Sequence, residues 1–391
     1  MKQIAALLLF SAAALSAGGH WRDDIRALGR ELPKRHASAF HRVSRDDFQR
    51  AIAALEAREA NDSVMFVELS RIAAMIGDGH TYVLIPPSAR RFPIGFQPFG
   101  GDWRVTHTVD AYKSALGAKL VRINDTPVAD AVKLVEPLTA QGETEAYIRA
   151  GVTQWLNLGD ALHGLGITAA RDRVTYTLQR DDGTTFTLEP ASMPFSEAPQ
   201  WVFVSRETPL MRQRLAERFW YSWLEPQKTV YVAFRGYDDL RAKSKELWQF
   251  VDSHPVEKLV LDLRSNGGGD YTKGKEYIVD QVKRRPKLRT YALVGARTFS
   301  AAMNNAAQLR DAGVTLAGTT VGERPNSYQE NDQFTLPSSK LVVSYSTRFY
   351  KFVPEGTPNV IEPDQRIEPT WEDYLAGRDS VLAWVLGDAI R

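Results

Sequence analysis

Several groups of residues in this chain have the types and spacing that chemistry needs. Ser300 stands in Thr298-Phe299-Ser300-Ala301-Ala302-Met303, where a strand-like run at Tyr291-Ala292-Leu293-Val294 passes into a helix. A serine there feels the positive end of the helix dipole. The next N–H, that of Ala301, has no acceptor within the helix and is free to hold an oxyanion. The same position also suits a plain N-cap, which serine favours. Asn266-Gly267-Gly268-Gly269-Asp270 follows the apolar run Leu259-Val260-Leu261-Asp262-Leu263. Consecutive glycines expose backbone N–H groups to a ligand, so the loop can form an oxyanion hole, cradle a phosphate, or simply turn the chain. It has neither the Lys-Ser/Thr ending of a phosphate loop nor the spaced glycines of a dinucleotide site.

A hydroxyl nucleophile needs a base, and near neutral pH histidine is the usual one. His80, in Asp78-Gly79-His80-Thr81, lies on a loop between a helical and a strand-like segment. His20, His36, His41, His107, His163 and His254 are also present, so residue type alone does not select His80. A carboxylate that orients the histidine completes a triad. Glu355, Glu362 and Asp364 are candidates, though a carboxylate in such a stretch is more often a solvated loop residue, and Asp311 lies where a structural role is expected. No His-Glu-x-x-His pair or calcium loop occurs, so neither a catalytic metal nor a cofactor is expected.

The elements that must position these residues follow from periodicity. Residues 20 to about 80 read as helical. Ser44 with Asp47 forms an N-cap pair, and Phe48, Ile52 and Leu55 share one face. A second helix runs from about Ser63 to Met75 and stops at Gly77-Asp78-Gly79, just before His80. From 86 to 198 short strand-like runs alternate with turns. Val174–Leu178 and Thr185–Leu188 flank Asp182-Gly183, a hairpin signal, and a helical insert is expected around 130–165. Beyond about 200 the pattern becomes strand–helix–strand, with strands at Val230–Phe234, Leu259–Leu263, Tyr291–Val294 and Val314–Ala317. Repeated units of this kind imply a parallel sheet covered on both faces. The aromatic run Phe219-Trp220-Tyr221-Ser222-Trp223 suits core packing or a substrate groove.

The chain has 391 residues, room for two or three domains at roughly 100–200 residues each. Its apolar share of 43% and charged share of 25% are those of an ordinary globular protein. A formal net charge of +2 gives no field for nucleic acid, and Arg90-Arg91 and Lys283-Arg284-Arg285 read as solvated faces. Cysteine is absent, which excludes disulfides, thiol nucleophiles and thiolate metal sites. Lys2, an apolar run from Ile4 to Leu15 and the small residues Ser16-Ala17-Gly18-Gly19 have the form of a secretory signal peptide over 1–18. That run is too short for a bilayer span, which takes roughly 20 apolar residues. A periplasmic or secreted protein with no integral membrane segment after signal removal is the expectation.

Taken in order, these motifs resemble the tail-specific (C-terminal processing) serine proteases, and within them the tricorn-like branch. The resemblance rests on Asp78-Gly79-His80-Thr81, on Leu261-Asp262-Leu263-Arg264-Ser265-Asn266-Gly267-Gly268-Gly269, and on Thr298-Phe299-Ser300-Ala301-Ala302. Gly318-Thr319-Thr320-Val321-Gly322-Glu323, Leu336-Pro337-Ser338-Ser339, Glu362-Pro363-Asp364 and Gly377-Arg378-Asp379-Ser380-Val381-Leu382 extend it. Leu120–Val128 is similar to the PDZ-like module that family often carries. The resemblance implies an α/β fold with a ClpP/crotonase-like catalytic core at 199–391, a helical N-terminal domain at 19–85 and a PDZ-like β-rich domain at 86–198. It implies a serine peptidase acting on peptides or protein tails, and leaves an oligomer open. Ser300 is the implied nucleophile, with Gly267 or Gly268 and Ala301 as oxyanion donors.

Two departures from that family stand out. The stretch Glu323-Arg324-Pro325-Asn326 lies where the processing proteases carry a lysine base, and it holds no lysine. The tricorn-like branch uses a histidine, which His80 matches, but with Gly79 in place of the preceding serine. Its late glutamate is matched nearest by Glu355. The expected set is therefore Ser300, His80 and Glu355, with Lys351 or Lys340 as substitute bases. Competing readings are a catalytically inactive relative binding a peptide or apolar ligand, as interphotoreceptor retinoid-binding protein does within the same resemblance, an esterase using the same serine, and an envelope scaffold. The Gly-x-Ser-x-Gly elbow is absent around Ser300, which argues against an α/β-hydrolase site.

Overall fold

A computed structural model describes residues 21–205 and 207–387. The expected signal peptide lies outside the described residues. No helix among them is long and apolar enough to cross a membrane.

The C-terminal half is built on a six-stranded sheet. Its strands run, in spatial order, Phe219–Leu224, Thr229–Phe234, Lys258–Asp262, Arg289–Val294, Thr315–Gly318 and Gln365–Arg366. The first pair is antiparallel and the rest are parallel. Every residue of Thr229–Phe234 is buried, as a sheet covered on both faces requires. Alternation then sorts the side chains. Val230, Val232 and Phe234 pack with Leu240, Leu247 and Val251 of helix Leu240–Ser253 and with Ala302, Met303 and Leu309 of helix Ala301–Asp311. Tyr231 and Ala233 face the other way, toward Val381, Leu382 and Val385 of helix Ser380–Leu386. The four strands expected from the sequence are all present. The aromatic run Phe219–Trp223 packs: it is the antiparallel edge strand, with Phe219 against Phe234 and Trp223 against Phe250.

The N-terminal half begins with helices Trp21–Arg35, Arg45–Glu56 and Asp62–Ala74. Ser44 caps the second, accepting the Asp47 N–H at 3.0 Å. A seven-stranded antiparallel sheet follows, including Ile94–Phe99, Asp102–Thr108, Lys119–Ile123 and the hairpin Tyr176–Gln179/Thr185–Leu188. The expected helical insert comprises Val128–Val135, Glu145–Trp155 and Gly159–Gly164.

Two features depart from the segment boundaries read in the sequence. First, Leu28, Phe48 and Leu69 of the helices share one hydrophobic core with Ile94, Val105 and Tyr176 of the sheet, so the core does not divide at residue 85. Helices of this length each bury one apolar stripe and need a larger partner surface, which the sheet supplies. Second, the α/β half sends a long hairpin, Asn326–Thr335 with Val342–Lys351, into the N-terminal half. Val343 of the hairpin pairs with Val83, and Leu336, Leu341 and Tyr345 join the N-terminal core. The buried carboxylate of Asp24 holds the hairpin turn, accepting the N–H groups of Ser338 and Ser339 at 2.7 and 2.8 Å. The hairpin thus links the two halves on either side of a cleft.

Candidate active site

The loop after strand Lys258–Asp262 is fixed before it reaches the glycines. Arg264 bonds both Asp262 and Asp379 at 2.6 to 3.0 Å. Asn266 is fully buried, donates to Phe234 O at 2.9 Å and accepts the Phe299 N–H on its own carbonyl at 3.0 Å. Thr298 Oγ1 donates to Leu263 O at 2.9 Å. These bonds lay the glycine loop along the segment carrying Ser300. The approach is close: a Cβ on Gly268, whose φ is +111°, would lie 2.6 Å from Ser300 Cβ. Only glycine fits there.

Ser300 begins helix Ala301–Asp311 with φ 54° and ψ −126°, and its side chain makes no capping hydrogen bond. A left-handed backbone is costly for a residue with a Cβ and persists where the surroundings over-determine it, often at functional sites. The geometry is that of a sharp turn from strand to helix that presents a hydroxyl. The plain N-cap alternative is thus not the role this serine plays. Gly267, Ser300 and Ala301 line one cleft of about 1380 Å³ together with His80, Tyr147 and Arg297. The Gly268 N–H is spent on Asn266 Oδ1 at 3.0 Å, while Gly267, Gly269 and Ala301 line the cleft.

His80 is 6% exposed and reaches the cleft from the other half of the molecule. Asp78 anchors its loop, accepting the His80 N–H at 3.1 Å, the Thr81 hydroxyl at 2.9 Å and the Ser346 hydroxyl at 2.6 Å. His36 completes the anchor: its Nδ1 accepts the Ser38 N–H, so its Nε2 carries the proton donated to Asp78 at 2.8 Å. Burial pushes the Asp78 carboxyl up, but the hydrogen bonds from His36 and from the hydroxyls of Ser346 and Thr81 outweigh it and hold it below its ordinary value. The His80 ring lies 4.8 Å from the Phe299 ring. The same phenyl explains Gly79: a Cβ there would sit 2.5 Å from Phe299 Cζ.

The carboxylate beside His80 is Glu323. Its Oε1 lies 3.5 Å from His80 Nδ1, and its Oε2 accepts the backbone N–H of Ser300. Glu323 is fully buried and also accepts the Ser327 hydroxyl at 3.3 Å. Burial pushes its carboxyl up and pushes the His80 imidazole down, to about 4. The resting histidine is therefore neutral at physiological pH, the form that can accept a proton.

Glu355, expected as the third member, lies elsewhere. Its side chain is 89% exposed and paired with Lys351 at 2.7 Å. Sequence order put a glutamate in the right region of the chain, but the hairpin strand carries that region out into solvent, while the turn at Gly322-Glu323 comes in under the serine. Glu362 accepts the Thr320 hydroxyl and Asp364 the Leu316 N–H, both holding backbone turns. Of the substitute bases, Lys351 is held by Glu355 and Lys340 donates to Pro337 O. Ser300, His80, Gly267 and Ala301 are brought together, and Gly268 packs beneath them. The sequence reading passed over Glu323 and His36. Glu323 stood inside a quoted motif, and the signal that marks it is the missing lysine in its own stretch.

No protein-family model and no curated protein matches the sequence. Solved structures do match the fold. A serine-to-alanine mutant of CPAF superposes with a TM-score of 0.67 at 12% identity, over 94% of this chain and 96% of that one. Mature CPAF complexed with lactacystin gives 0.65 at 11%, over 94% and 98%. The photosystem II D1 C-terminal processing protease gives 0.44 at 16%, over 93% and 99%. At these identities the likeness to CPAF is one of fold, and it extends over nearly the full length of both chains.

Proposed function

We propose that this chain is an exported serine peptidase acting on peptides or protein tails, with Ser300 as nucleophile, His80 as base and Glu323 behind the histidine. The observation that carries the reading is Ser300 itself: a left-handed residue at a strand-to-helix corner, released from capping, facing a cleft that His80 also lines. The motif order and the CPAF-like fold support the same class.

In this scheme neutral His80 takes the Ser300 proton as the hydroxyl attacks a peptide carbonyl. The oxyanion rests on the N–H groups of Gly267 and Ala301, each worth on the order of 3 kcal/mol in the transition state. His80 then protonates the leaving amine, while the Glu323 carboxylate favours the transient imidazolium. Water hydrolyses the ester by the same path. The antiparallel sheet at 86–198 serves in this reading as a PDZ-like substrate platform.

A fluorophosphonate probe tests the proposal. Labelling mapped to Ser300 by mass spectrometry, and lost in Ser300→Ala and His80→Ala, is the expected outcome. A folded wild-type protein that resists the probe and cleaves no peptide in a library would sink it.

A further inference from the structure

Glu143 is a buried carboxylate that the hydrolytic scheme leaves unused. It is 4% exposed. Its Oε1 accepts the N–H of Gly79 at 3.0 Å, and its Oε2 accepts the N–H of Arg324 at 2.7 Å. Gly79 immediately precedes His80, and Arg324 immediately follows Glu323. One side chain thus bridges the loop carrying the histidine and the turn carrying its carboxylate.

The residues on either side tighten that bridge. Arg324 Nε donates to Gly142 O at 2.9 Å, and Thr144 Oγ1 donates to Gly322 O at 2.7 Å. Gly142 has φ +95°, and a Cβ there would lie 1.9 Å from Gly77 O, so the segment is pressed directly against the loop leading to His80. Thr144 also caps helix Glu145–Trp155, which gives the clamp a rigid base. From that helix Tyr147 reaches back to donate to Gly79 O at 3.4 Å.

Electrostatics adds a second link. Burial pushes the Glu143 carboxyl up to about 7, against the pull of the Arg324 and Gly79 N–H groups and the Arg324 charge, while Asp78 pushes it further up. Burial likewise raises Glu323, and Glu143 is the next contributor. Asp78, Glu323, Arg324 and Tyr147 surround Glu143, with His80 beyond Glu323, and Arg42 and Asp47 line a second pocket with it. A charge on Glu143 makes Glu323 harder to ionise, so the two carboxyls titrate as a pair.

We propose that Glu143 is a positioning residue for the Ser300–His80–Glu323 site, setting the separation of the loop that carries His80 and the turn that carries Glu323. The assignment rests on the reading of the site as hydrolytic, but its physical content does not depend on turnover.

The test is steady-state kinetics on wild type, Glu143→Asp and Glu143→Gln, read beside the ¹⁵N shifts of the His80 ring and the melting temperatures. Glu143→Asp is too short to reach both N–H donors, and Glu143→Gln offers one acceptor oxygen where the carboxylate offers two. In both, kcat is expected to fall by about 10- to 100-fold with KM little changed, and the His80 ring resonances to move, because the histidine and the turn behind it are no longer held at one separation. Variants that melt earlier while kcat and the His80 shifts stay those of wild type would reduce Glu143 to packing and overturn the assignment. Should neither variant fold, Thr144→Val removes the bond to Gly322 O from the same clamp; a fall in kcat of about tenfold is expected, and an unchanged kcat overturns the assignment. A wild type that hydrolyses nothing while the His80 resonances move in the variants refutes the peptidase reading alone.

Discussion

One carboxylate, that of Glu323, touches both Ser300 and His80: its Oε2 accepts the Ser300 backbone N–H, and its Oε1 lies 3.5 Å from His80 Nδ1. The Ser300 N–H is available for this because the residue sits outside the helix it begins. Position and charge of the two groups are thereby coupled through a single buried side chain, which gives the first expectation.

Glu323→Gln keeps the shape but removes the charge that favours an imidazolium, and kcat should fall by about 10³- to 10⁴-fold. Glu355→Ala removes an exposed ion pair, worth at most about 1 kcal/mol, and should leave activity unchanged. Steady-state kinetics on a cleavable peptide separates the two. The reverse ranking would restore Glu355 to the site.

Ser300→Ala and His80→Ala should each lower kcat by at least about 10⁴-fold with the fold intact by circular dichroism. Groups that act as a unit are not additive, so the double variant should be little worse than either single one. Independent, multiplying losses would show that the two residues do not work together.

Two glycines are required by contact. Gly268→Ala places a methyl group against Ser300 at a left-handed position, and Gly79→Ala drives one into Phe299. Each should lose roughly 1–3 kcal/mol of stability. A Cβ at Gly79 also meets Glu143 Cγ at 2.9 Å, so Phe299→Ala should rescue part of the stability lost in Gly79→Ala and none of that lost in Gly268→Ala, read as melting temperatures of the four proteins.

The pH dependence follows from His80. Its folded pKa of about 4 lies below the ordinary 6.5, so the unfolded chain binds the proton first as pH falls. The stability contributed by burying neutral His80 is complete above about 6.5 and is lost progressively down to about 4, on the order of 3 kcal/mol in all. Urea unfolding of wild type against His80→Gln should show wild type losing relative stability across that window. The acid limb of kcat/KM should fall near 4; a limb near 6.5 would mean that the histidine is not desolvated in the free enzyme.

Local order along the chain was legible because it rests on local physics. The apolar strands 230–234, 259–263 and 291–294 announce a sheet buried on both faces. Gly77-Asp78-Gly79 announces a helix stop, and Asp182-Gly183 a hairpin. Ser300 and the glycine loop stood out for the same reason, since left-handed turns and helix starts leave marks in residue type. The hairpin 326–351 was harder to see. Its strands are amphipathic for a core assembled largely by residues before 180, so half of its pattern has meaning only once that core exists.

By itself the sequence determined the α/β architecture, the segment that carries Ser300 between a strand and a helix, and the absence of a lysine in the stretch where one was expected. Which carboxylate stands behind His80 was decided only by the tertiary structure. Glu323 and Glu355 are both acidic and both follow Ser300, and no periodicity distinguishes them. What separates them is burial: the Gly322–Arg324 turn is drawn in by Glu143, Thr144 and the Ser300 N–H, while Glu355 is left in water. Contacts between residues so distant along the chain exist only after the two halves have closed on the cleft, and it is that closure which sets the charge and reach of each group.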